Sequence, residues 1–137
     1  MLAFVAALGV AGFAGTAYAH VSAQPPTAGA GGYTKVSFRT PNERDNAATI
    51  KLRVFFPPEH PIASVQVRPL PGWTATVDTT TLAHPITTDD GQVTQAVSAI
   101  TWTGGRIEPD QVQEFNVSMR PLPANTPILA FKASVCP

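Results

Sequence analysis

Three histidines, one cysteine and nine acidic side chains are the groups with which this chain could handle a metal, a proton or a nucleophile. They do not assemble into a familiar catalytic template. There is no Gly-x-Ser-x-Gly elbow, no His-Glu-x-x-His pair, no phosphate loop and no Gly-x-Gly-x-x-Gly turn, which argues against a conventional hydrolase or nucleotide enzyme. His60 and His84 each precede a proline, and that context reads as a surface turn. Cys136 is the penultimate residue and reads as a frayed, incidental thiol. A single cysteine leaves no intramolecular disulfide to form, so cohesion must come from packing.

His20 stands apart because of what precedes it. Residues 1–19 carry no charge and end in Ala17-Tyr18-Ala19, the small-x-small pattern that signal peptidase reads. An uncleaved membrane anchor is the rival reading, but Gly9, Gly12 and Gly15 together with the cleavage pattern favour removal. Cleavage after Ala19 would make His20 the N-terminal residue of the mature protein. Its α-amine and imidazole Nδ1 could then close a six-membered chelate on one metal ion. An amine with a reference pKa of about 7.7–8.0 gives up its proton to a metal at little cost near neutrality. Nitrogen donors in a tetragonal set favour Cu(II). Met119 is the one methionine after residue 19, so soft thioether capture of Cu(I) is disfavoured. Taken alone, these residues equally allow that the leader happens to end before a histidine.

The elements that would position such a site read as short strands. The chain has 137 residues, 44% of them hydrophobic and 13% charged, enough for one domain with its own core. Its 14 prolines oppose long helices. Residues 50–56 alternate with period two and predict Ile50, Leu52, Val54 and Phe56 on a buried face. Further alternations place Val36 and Phe38, Val65 and Val67, Trp73, Ala75 and Val77, Phe115, Val117 and Met119, and Leu129 and Phe131 inward; another run spans 97–102. Turn chemistry separates them at Pro41-Asn42, Pro57-Pro58, Pro71-Gly72, Asp90-Gly91, Gly104-Gly105 and 121–127. The polar, Thr-rich stretch 79–95 reads as a long hairpin arm. The expected fold is all-β, an immunoglobulin- or cupredoxin-like sandwich of about seven strands. Nine basic against nine acidic residues give no net charge and no electrostatic case for nucleic acid or an anionic membrane.

Several stretches also carry a family likeness. Ala19-His20-Val21-Ser22, Phe38-Arg39-Thr40-Pro41-Asn42-Glu43, Pro61-Ile62-Ala63-Ser64-Val65, Pro71-Gly72-Trp73-Thr74, Ile100-Thr101-Trp102-Thr103 and Phe131-Lys132-Ala133 together resemble the YcnI-like family of bacterial exported copper-binding proteins. The resemblance covers residues 20–133. It implies a sandwich that holds Cu(II) in a single-histidine brace, with a carboxylate from the Pro-Asn-Glu loop as oxygen ligand; the matching positions here are His20 and Glu43. On its own Glu43, beside Arg44 and Asp45, reads as a solvated turn residue. Trp73 and Trp102 are expected to be structural.

The expectation is therefore a signal peptide at 1–19 and a copper-binding domain at 20–137, outside the cytoplasm and with no membrane span after cleavage. It would act in copper trafficking or buffering rather than as an enzyme, with the copper ion and another copper-trafficking protein as partners. A copper monooxygenase is the enzymatic alternative, although those resemble a brace with a second histidine. A metal-free adhesion or interaction sandwich is the other. Relatives of the YcnI-like kind continue past Phe-Lys-Ala with a further strand bearing a tryptophan over the copper. Here the chain continues as Ser134-Val135-Cys136-Pro137, so that tryptophan has no counterpart and the sheet edge near 129–133 is expected to lack a neighbour.

Overall fold

Where the period-two pattern is strongest, it becomes a buried strand face. The structure, a computed structural model, describes residues 1–8 and 21–137, the side chains of 7 and 8 excepted. The described strands are β1 (Leu2–Leu8), β2 (Ser22–Gln24), β3 (Thr27–Ala28), β4 (Thr34–Pro41), β5 (Thr49–Phe55), β6 (Ser64–Val67), β7 (Thr74–Thr88), β8 (Gly91–Ile107), β9 (Val112–Arg120) and β10 (Ile128–Cys136). They form a 6-stranded sheet, order β3-β1-β10-β5-β8-β7, and a 4-stranded sheet, order β2-β4-β9-β6. This is the all-β sandwich the alternation predicts. The additional strands are the N-terminal ones, β1 to β3.

Two aromatic hubs hold the sheets together. Phe131 of β10 meets Phe4, Phe38 and Phe56 at centroid distances of 6.1, 5.4 and 5.3 Å. Phe115 of β9 meets Trp73 at 5.0 Å and Trp102 at 5.1 Å. Around them Val36, Phe38, Leu52, Val54, Val117, Met119 and Leu129 are buried as the sequence predicts. Each such side chain contributes about 1.5–3 kcal/mol when fully buried. Trp102 is buried and Trp73 half-buried, both as core anchors.

Several expectations are corrected, among them the missing neighbour near 129–133, where β10 pairs with β1 on one side and, from Lys132 on, with β5 on the other. Ile50 points outward, 43% exposed, while Thr49 takes the buried place. The reason is a bulge: between the pairs Lys51↔Thr103 and Thr49↔Ile107, Ile50 alone faces residues 104–106. Gly104-Gly105 is therefore not a turn but part of β8. Gly104 has φ 94°, and a Cβ on Gly105 would come within 2.2 Å of the Trp73 ring, so the indole packs directly on glycine backbone. Ala75 and Val77 are exposed because β7 is the outer edge strand of its sheet. Cys136 is not frayed: it is half-buried and pairs with Lys51 in the β10–β5 ladder.

The Thr-rich stretch is the arm the sequence predicts. β7 and β8 stay paired out to Thr88↔Gly91, with a break where residues 82–85 face only Thr94. His84 lies in that break, exposed, within a strand rather than a loop.

Candidate functional site

Glu43 leaves the end of β4 at a corner that Asn42 builds. Asn42 is only 3% exposed, so each of its polar groups needs a partner. Its Nδ2 donates to the carbonyls of Ala47 and Ile107, both at 2.8 Å, and its Oδ1 accepts the Arg44 N–H at 2.9 Å. The backbone N–H of Asn42 donates to Gln111 O at 2.8 Å, and its carbonyl accepts Asp110 N–H at 3.0 Å. The Asn42 side chain thus ties the end of β4 to the end of β8 and to residues 44–47, while its backbone ties it to the turn between β8 and β9. The exposed pair Arg106–Glu108, 2.8 Å apart, flanks that turn. There the Glu108 hydrogen bond and charge hold the Arg106 guanidinium above its ordinary pKa.

The corner sets the place of Glu43 and leaves its side chain exposed. Thr40, two residues before Asn42, is fully buried, and its Oγ1 has no hydrogen-bond partner among the described residues. Sequence reasoning sees Asn42 only as a turn residue. Its anchoring role depends on Ala47, Ile107 and Gln111, and nothing local signals those partners.

His20 lies outside the described residues. Immediately after it, Val21 is buried in the core, and β2 pairs with β4 through Ser22↔Arg39, Ala23↔Phe38 and Gln24↔Ser37. The pairing is antiparallel, so β2 begins at the border of the sheet where β4 ends. Val21 therefore enters the sheet from the Asn42–Glu43 corner.

The other histidines do not join this corner in a metal group. Among the described residues no three or more His, Cys, Asp or Glu side chains gather where they could hold a metal ion. His60 is half-buried rather than a surface residue; its Nδ1 is buried with no hydrogen-bond partner among the described residues, and its backbone N–H donates to Pro57 O at 3.3 Å. Among the described residues no helix is long and apolar enough to cross a membrane. On the opposite border, between β6 and β7, an open apolar cleft is lined by Val67, Leu70, Trp73, Ala75 and Trp102.

Two facing antiparallel-rich sheets with a short paired N-terminal strand define an immunoglobulin-like module. The crystal structure of an uncharacterized protein from Nocardia farcinica, described as immunoglobulin-like, is similar at 37% identity and a TM-score of 0.56, over 76% of this chain and 67% of that one. The chain belongs to the DUF1775 family, a domain of unknown function, whose family model matches residues 20–135. No curated protein matches it. The family match begins on His20, the residue next after the Ala17-Tyr18-Ala19 pattern.

Proposed function

We propose that this protein is a YcnI-like, extracytoplasmic Cu(II)-binding module acting in copper trafficking or buffering, and not an enzyme. Copper is its cargo. The ligands are the α-amine and imidazole of His20, freed by cleavage after Ala19, and the carboxylate of Glu43. The observation that carries this reading is the coincidence at one border of the sheet. The family domain begins at His20, and β2 enters from the corner where Asn42 presents Glu43.

The donor chemistry fits. Glu43 offers an anionic oxygen, which offsets part of the charge of a divalent ion. In this reading both nitrogen donors come from His20. A chelate made by the amine and ring of one residue needs no second histidine.

Calorimetric titration of protein beginning at His20 with Cu(II) tests the reading. One alanine added before His20 is expected to damage binding as badly as His20→Ala, because it keeps the imidazole but displaces the amine. Glu43→Gln should weaken binding less and change the Cu(II) electron paramagnetic resonance spectrum. Binding that survives the added alanine would overturn the brace, and an unchanged spectrum would remove Glu43 from the ligand set. Ascorbate-driven oxidation of a polysaccharide by the loaded protein would replace the reading with a monooxygenase.

A further inference from the structure

The segment Leu2–Leu8 lies outside the stretch matched by the family model, yet it occupies the interior of a sheet. It runs between β10 and β3, pairing with β10 from Ala3↔Ile128 to Leu8↔Ala133 and with β3 through Leu2↔Ala28 and Ala3↔Thr27. Further backbone bonds pin it, from Ala3 N–H to Pro127 O and from Phe4 N–H to Pro26 O, both 2.8 Å. The β1–β10 pairing is parallel, whereas every other pairing among the described residues is antiparallel. Inward and outward positions alternate along it: Leu2 is fully buried, Phe4 is 6% exposed and packs on Phe131, and Val5 next to it faces out at 43%.

We infer that the space between β10 and β3 is a strand-acceptor site, one strand wide, whose occupant in the uncleaved chain is Leu2–Leu8. Without β1 the domain of residues 20–135 offers two strand edges there, with the fully buried Leu129 and Phe131 of β10 on the flank, paired with Phe4 and Ala6. Unpaired backbone groups beside buried apolar side chains take up an added strand through main-chain hydrogen bonds, with specificity set by alternate side chains. The chemistry the site selects is an extended, uncharged segment with bulky apolar residues at alternate positions. Acceptance of that strand does not rest on copper binding. Only its opening by leader removal shares the cleavage assumed above.

The test uses the full chain, carrying a protease site inserted between Gly12 and Gly15. After folding, cleavage should leave the N-terminal fragment bound, so that it co-elutes with the body in size-exclusion chromatography. A synthetic peptide of sequence Leu2–Leu8 with a lysine tail, added in excess, should displace it. The same peptide with aspartate at the Leu2 and Phe4 positions should not. In the uncut full chain, the double change Leu2→Asp and Phe4→Asp should lower the melting temperature by about 10 °C. Adding the unmodified peptide in trans should restore part of that loss. Release of the fragment as soon as it is cut, or equal displacement by the aspartate peptide, would overturn the proposal. So would a melting temperature that the double change leaves where it was.

Discussion

Two borders of the sandwich are closed in different ways. At the Asn42 corner, the polar groups of a buried residue are satisfied by partners within the family domain, its side chain by Ala47, Ile107 and Arg44 and its backbone by Gln111 and Asp110. At the β10 border the closing strand comes from outside that domain, and it pairs in the opposite sense to all the described ladders around it. The first closure is specified by directional bonds to fixed partners. The second is specified by an apolar period and by main-chain pairing, which many sequences can supply. A site that must hold a ligand in fixed geometry belongs at the first kind of border, and a site that exchanges partners at the second.

Three substitutions sharpen or break this contrast. Asn42→Ala should have the largest effect, about 3 kcal/mol of lost stability, because it leaves the Ile107 and Ala47 carbonyls and the Arg44 N–H without their side-chain partner at once. Urea unfolding measures it, and a loss below about 1 kcal/mol would mean that water replaces the amide and the corner is not rigid. Phe4→Ala in the full chain should cost less, about 2 kcal/mol, since the ring packs on Phe131 near the edge of the sheet. A cost above that of Asn42→Ala would make β1 an integral strand and erase the distinction. Thr40→Val should act in the opposite direction and most weakly, gaining about 1 kcal/mol by removing a buried hydroxyl that has no partner among the described residues. A loss of stability there would reveal that the hydroxyl is bonded after all, and so that the corner extends to Thr40.

The same contrast separates what the sequence reveals from what it hides. Phe115, Val117, Met119, Leu129 and Phe131 are legible because regular strands with a sheet facing them turn period two directly into burial. Ile50 is misread because the bulge opposite it arises from Gly104 and Gly105, more than fifty residues away in a ladder that no local window contains. Ala75 and Val77 have the right period but lie on the outer strand of their sheet, Ala75 beside an open cleft, and period says nothing of where a sheet ends. In β1 the alternation of Leu2 and Phe4 sits inside an uncharged stretch whose composition points to a leader, and composition masks the strand. Glu43 enters through family resemblance, since its own neighbours make it look like any solvated turn residue. The hydrogen bonds that place it join residues distant in sequence.

The β7–β8 hairpin is one continuous ladder in which the two ends answer to different free energies. Near the body its rungs include Ile100 and Trp102, buried in the core, which can part only when the sandwich itself comes apart. Beyond the break at residues 82–85 lie the rungs from Ile86↔Val93 to Thr88↔Gly91, where Thr87, Thr88 and Val93 share an open pocket with Tyr33, Ser64 and Arg120. They can open and reclose while the core stays shut. The arm is therefore a buried root carrying a tip whose rungs open at a lower free energy than the core, and whatever the tip touches meets a surface that can change its pairing before the domain beneath it unfolds.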